Sequence, residues 1–215
     1  MKFFLHTLTR PILWVLLLGM TLPVLSGCFG IAVVGATTGV FAITDRRSLG
    51  TQTEDSAIEF KAGSYISQSV KDVSHFNLTS YNRRVLLTGE VPNESIKTQL
   101  GNEAARIENV LGVMNELVVA SNSSLTARAN DSLITSKVKA RFIDANEFSL
   151  HHVKVVTEAS TVFLLGIVSS KEAAAAIQIA RTTSGVRKIV NRMMVESDAE
   201  IERIDKSLAN SAKTN

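Results

Sequence analysis

A single cysteine, Cys28, is all the thiol chemistry this 215-residue chain has, so no disulfide can form within it. Charge of one sign is scarce as well. Lys2 and Arg10 are the only early charges, and without them 21 basic residues stand against 20 acidic ones. So small an imbalance argues against nucleic acid as a partner. Catalytic motifs are missing too: there is no glycine-rich phosphate loop, no nucleophile elbow and no paired-acid motif. The glycines from Gly27 to Gly39 lie in an apolar run, not between a strand and a helix. His75, His151 and His152 are the histidines beyond that point. The last two are adjacent, which on a strand points them to opposite faces. Asp144 and Glu147 stand at no recognisable ligand spacing. The expectation is a protein that is no enzyme and uses no cofactor and no metal.

What the chain does have begins at its N-terminus. Behind Lys2 and Arg10 runs an apolar stretch, Ile12 to Leu25, the layout of a secretory signal peptide. It ends in Leu25-Ser26-Gly27-Cys28, which resembles the lipobox of bacterial lipoproteins: small residues before the cut, a thiol to take the lipid after it. Residues 1–27 are therefore expected to be a signal peptide, and Cys28 the lipidated residue of a 28–53 tether. Phe29 to Thr44 is apolar and glycine-rich but short for a spanning helix, which needs about 20 residues. Phe29 follows the cysteine where an aspartate resembles a signal for inner-membrane retention, and this favours the outer membrane.

The rest of the chain is a duplication. Asp55-Ser56-Ala57-Ile58 is repeated as Asp131-Ser132-Leu133-Ile134, 76 residues on, and Val85–Val91 as Val162–Val168, 77 on. Ala104, Val110, Asn115 and Val119 fall on Ala180, Val186, Asn191 and Val195, at 76 again. Three blocks in one order establish a repeat. Each copy reads as helix, strand, strand, helix, strand. Ile58, Ala62, Ile66 and Val70 repeat every fourth residue, as do Ile134, Val138 and Phe142: helices with one buried face. Hairpins follow, Phe76–Tyr81 with Arg84–Val91 and Val153–Thr157 with Thr161–Val168, joined by polar turns at Asn82-Arg83 and Glu158-Ala159-Ser160. Asn93 and Ser170 are the expected N-caps of the second helices. Asn109 and Gly185 are the expected left-handed residues at their ends. Closing strands are expected over Val113–Val119 and Lys188–Val195.

This pattern resembles the BON domain, a small α/β unit of bacterial envelope proteins, in two tandem copies. The lipobox, the apolar stretch and Arg47-Ser48-x-Gly50-Thr51-Gln52 before the first copy resemble the dual-BON outer-membrane lipoproteins. The fold class expected is α+β, with two αββαβ units at 54–119 and 131–196. A 120–130 linker lies between them, and a short C-terminal helix with a loose tail fills 197–215. The resemblance implies a lipid-anchored protein on the periplasmic face of the outer membrane. Such a protein binds anionic phospholipid through its second BON domain, supports envelope integrity and gathers at the division site.

Charge supports the same copy. Asp55–Val119 holds 6 basic and 8 acidic residues, and Asp131–Val195 holds 9 and 5. Leu133, Lys137 and Arg141 lie on one stripe beside the expected buried face, an apolar residue with two cations, and are the candidate phospholipid site. Relatives can carry tryptophan where this chain has Leu133, which lacks the amphipathic ring favoured at interfaces. The alternative is a protein-interaction scaffold that docks an envelope assembly or a peptidoglycan-associated machine.

Overall fold

The structure is a computed structural model and describes residues 45–66, 70 and 73–213. Cys28, the signal peptide and the apolar stretch lie outside the described residues. Among the described residues no helix is long and apolar enough to cross a membrane.

The first unit runs α1 (Leu49–Tyr65), β1 (His75–Tyr81), β2 (Arg84–Val91), α2 (Glu94–Ala105), β3 (Gly112–Asn115) and β4 (Val118–Val119). The second repeats it as α3 (Leu125–Ala145), β5 (Val153–Glu158), β6 (Thr161–Ser169), α4 (Ser170–Arg181), β7 (Lys188–Asn191) and β8 (Met194–Glu196). A last helix, α5, spans Asp198–Lys213. In each sheet the long second strand is central. It pairs antiparallel with its hairpin partner and parallel with the closing strand, which is split in two. The α+β class and the repeat are as expected.

Several boundaries move. Leu49–Thr53 belong to α1, not to a tether, because Ser48 caps that helix by accepting from Thr51 N. The helix stops at Tyr65, after the weak helix formers Gly63 and Ser64, so Ile66 is extended yet still buried. The polar 120–130 segment is helical from Leu125, with Ser124 accepting from Ala127 N. The N-cap of α4 is Ser169, not Ser170, in a capping box with Glu172. At the C-terminus, α5 is four turns long, not a short helix with a loose tail from Asn210.

Two short hairpins carry the repeat's signature. Asn82-Arg83 and Ala159-Ser160 occupy both central turn positions at positive φ, 51° and 61° in the first and 48° and 61° in the second. Such turns prefer Asn-Gly, and three of these four residues are poor choices for them. A buried aspartate from the preceding helix compensates in each copy. Asp55 accepts from Asn82 N (2.8 Å), Arg83 N (2.7 Å) and Ser80 Oγ (2.6 Å). Asp131 accepts from Ala159 N (2.9 Å) and Ser160 N (2.8 Å).

Alternate residues of the central strands face two different cores. Val85, Leu87 and Val91 pack on Ile58, Ala62, Leu100 and Ala104 of their own helices. Val162, Leu164 and Val168 pack likewise on Ile134, Val138, Phe142 and Ala176. The other faces meet each other. Tyr81, Leu86 and Met114 of the first sheet join Phe163, Leu165 and Ile167 of the second, with Ile201 and Ile204 of α5 at the edge. The result is helices, sheet, sheet, helices, with both central strands buried on both faces.

Polar contacts lock this arrangement. Lys154 reaches Glu59 and the carbonyl of Ser80 across the two units, and Arg192 pairs with Glu116. Arg46 is almost fully buried. Its guanidinium bonds Glu172 (2.6 Å), Asp205 (2.9 Å) and the carbonyl of Ile167 (3.1 Å), joining the N-terminal end of the folded region to α4 and α5. Burial disfavours the Glu172 carboxylate, but bonds from His152, Arg46 and Ser169 N outweigh it and hold the group well below the usual range. Asp55 is lowered likewise: burial opposes, but bonds from Ser80, Arg83 N and Arg47 prevail.

A group whose folded pKa is depressed stabilises the fold fully above its unfolded value, near 4, and loses that contribution as pH falls through the folded value. Glu158 is displaced the other way by burial, and its effect has the opposite sign. Urea unfolding should therefore show a midpoint that drops steeply below about pH 4. Glu172→Gln should flatten part of that drop, and an unchanged slope in the variant would refute this assignment.

Candidate functional site

The helix α3 brings together the residues singled out in the second unit. Ser124 caps its start, and Asn146 ends it in the left-handed region at φ 49°, donating to Phe142 O. Its inner face buries Asp131, Ile134, Val138 and Phe142. Phe142 meets Phe148 edge to face with ring centroids 5.0 Å apart.

The opposite face is unusual for a solvent surface. Leu125 is 81% exposed, Leu133 60% and Ile143 61%. At 100° per residue, Leu125 and Ile143 share one azimuth five turns apart, and Leu133 lies about 80° away. The azimuths between them carry exposed small residues: Ala129, Ser136 and Ala140. Lys137 and Lys139 are exposed on the two flanks of this stripe, and neither forms an ion pair among the described residues. Asp144 is the one acid exposed along the helix.

Leu133 and Lys137 are thus accessible. Arg141 is not free in the same way. Its Nη1 donates to Ile179 O (2.8 Å), Thr182 Oγ1 (3.0 Å) and Thr183 Oγ1 (2.9 Å). There it satisfies a carbonyl at the C-terminal end of α4, where a cation is favoured. Lys139, Leu125 and Ile143 were missed by sequence reasoning. The eighteen-residue spacing of the two apolar residues could have revealed them, had residues 125–130 been read as helix.

The equivalent helix of the first unit, α1, differs in charge. Leu49 and Phe60 are exposed on it, at 72% and 84%. Its one lysine within the described span, Lys61, is occupied by Glu108 at 2.8 Å and Glu54 at 3.9 Å.

The three histidines beyond the N-terminal apolar region lie in two places. His151 and His152 lie in a 3-10 turn, Leu150–His152, not on a strand, and His152 Nδ1 contacts Glu172 at 3.1 Å. His75, at the start of β1, contacts Glu90 Oε2 at 3.1 Å and stands 4.0 Å from Glu158 Oε1.

Comparison with known proteins agrees with this architecture. The BON domain family model matches residues 54–121 and again 130–197. The chain is 37% identical over 177 residues to the outer membrane lipoprotein DolP of Haemophilus influenzae, covering 81% of this chain and 91% of that one. It is 34% identical over 148 residues to the 21 kDa hemolysin of Actinobacillus pleuropneumoniae, covering 68% and 76%. It is 29% identical over 153 residues to the osmotically-inducible protein Y of Escherichia coli, covering 66% and 73%. These matches are too long to rest on one copy of the repeat, and none of the three names describes an enzyme.

Proposed function

Because this chain belongs to the BON-domain family and contains two copies of that domain, we propose that it is an outer-membrane lipoprotein that touches anionic phospholipid through α3. Similarity to an outer membrane lipoprotein over most of both chains supports the location. Lipid on Cys28 supplies the anchor and the periplasmic face in this reading. Support of envelope integrity, at the division site, is the role the family resemblance adds.

The observation that carries the lipid contact is the outer face of α3: Leu125, Leu133 and Ile143 exposed, with Lys137 and Lys139 beside them. The inner face is already buried in protein, so the outer apolar stripe has no partner within the described fold. A helix lying in a headgroup layer needs an apolar strip to insert and cations at its borders to meet phosphate. The lysine stems can bury along the strip while the ammonium groups stay at headgroup level. Arg141 contributes positive charge to this border while holding α4.

A soluble fragment beginning at Asp45 should bind vesicles containing phosphatidylglycerol in preference to phosphatidylcholine vesicles. Each lysine near such a surface contributes about 1 kcal/mol, so reversing Lys137 and Lys139 to glutamate should weaken binding at least about tenfold. Leu133→Asp should weaken it further. Equal binding to both vesicle types, or no effect of the reversals in a sedimentation assay, would remove the proposal. A docking scaffold has one observation in its favour, exposed Phe60 on the more acidic unit. Envelope function lost in Phe60→Ser but kept in the lysine reversals would transfer the role to that face.

A further inference from the structure

One cluster plays no part in the lipid contact. His75 of β1 and Glu90 of β2 face Glu158 of β5, so the group spans the two units. One ligand atom from each, an imidazole nitrogen and two carboxylate oxygens, lies within 4.8 Å of both others. The side chains of Glu90 and Glu158 are each 8% exposed.

We propose that His75, Glu90 and Glu158 bind one divalent zinc-class ion that clamps the two BON units together. Zinc bonds imidazole nitrogen and carboxylate oxygen at about 2.0–2.2 Å, which places tetrahedral ligand atoms about 3.3–3.5 Å apart. Here His75 Nδ1 is 3.1 Å from Glu90 Oε2 and 4.0 Å from Glu158 Oε1, and the two carboxylates approach within 4.8 Å, so side-chain motion on the order of 1 Å centres an ion.

The carboxylates are aimed by their neighbours. Asn77 Nδ2 donates to Glu158 Oε2 at 2.9 Å, which leaves Oε1 toward His75. Ser123 N donates to Glu90 Oε2 at 3.1 Å. Groups that orient ligands in this way are a regular part of metal sites.

Charge balance points the same way. Two carboxylates withdrawn from water need compensation, and one imidazole is too little for both. The Arg128 guanidinium, which lines the adjoining cavity, bonds Ser123 Oγ and Ser123 O and forms no ion pair with either carboxylate among the described residues. Asp131 also borders the site and adds no positive charge. A nitrogen ligand with two carboxylates suits zinc better than magnesium or calcium, which favour oxygen alone. The fourth position would open onto a cavity of about 260 Å³ lined by Arg128, Ser132 and Thr135, where water completes the coordination.

The test uses the full chain in detergent, stripped by a chelator and titrated with zinc chloride alone. Equilibrium dialysis should give one zinc per chain, and the thermal midpoint should rise with zinc. His75→Gln and Glu158→Gln should each weaken binding about 100-fold or more, above the loss seen when only a supporting residue is changed. His151→Gln, at an exposed position, should bind as the parent does. Glu158→Gln keeps an oxygen for Asn77, so it guards against misfolding, and circular dichroism of each variant checks it. X-ray absorption of the parent should show nitrogen and oxygen neighbours only. No stoichiometric zinc, zinc held equally by His75→Gln and Glu158→Gln, or sulfur at the metal would each overturn the proposal.

Discussion

Gly89→Ala should leave the first unit unable to reach its folded state. A methyl group built on Gly89 falls 2.2 Å from the carbonyl oxygen of His75 and 2.7 Å from the Cα of Phe76. Those are backbone atoms of the paired strand, so no side chain can swing aside. The residue also lies at φ 119°, a conformation closed to alanine without strain. Separating β1 from β2 would break the register from His75–Glu90 to Tyr81–Arg84 and open the core behind it. The cost should exceed about 4 kcal/mol, in the range reserved for disrupted cores and backbone clashes. Circular dichroism and limited proteolysis would read it: a cooperative melt within a few degrees of the parent would contradict the geometry. Gly166 holds the equivalent place in β6: a methyl group built on it falls 2.3 Å from the carbonyl oxygen of His152, so Gly166→Ala should likewise disrupt the second unit.

Asp55→Ala should cost about 3–5 kcal/mol, the penalty for removing one partner of a buried charged network. The aspartate holds four donors: two turn amides, the Ser80 hydroxyl and the Arg47 guanidinium at 2.7 Å. Without it Arg47 keeps Asp45 and its position 4.2 Å over the Tyr81 ring, but the turn is left at positive φ with two unpaired amides. The equivalent Asp131→Ala removes two turn donors and no guanidinium, and should cost less. Chemical denaturation of both variants checks the order. Equal losses at the two sites would show that the arginine and the Ser80 hydroxyl add nothing.

These two residue types explain what could be read from the sequence and what could not. The repeat was visible, and Asp55/Asp131 and Gly89/Gly166 were within it. Their roles were hidden because their partners lie elsewhere: the turn amides come about 28 residues after each aspartate, and the clashing carbonyls, of His75 and His152, come about 14 residues before each glycine. Helix faces were legible because their period is local. Ile134, Val138 and Phe142 are buried as their spacing indicated.

The packing of one sheet on the other leaves a trace in the sequence. Val85-Leu86-Leu87 and Val162–Leu165 are unbroken apolar runs, which a strand buried on one face does not need. What covers the second face is a residue set about 80 positions away, so the sequence signals the burial but not its cover. Composition misled where polar residues carry caps. Ser124 and Ser48 made their segments resemble linkers, while each in fact starts a helix. The His75 cluster draws on three strands and two units, which no local spacing can display.

Arg46 gives the molecule a mechanical property. Its bonds to Glu172 and Asp205 fasten the leading end of the folded region to helices near the far end of the chain. A pull on Asp45 would thus load α4 and α5 through the Arg46 guanidinium, and not α1 alone. The closing helix thereby braces the start of the folded region, which precedes it in the chain by about 160 residues.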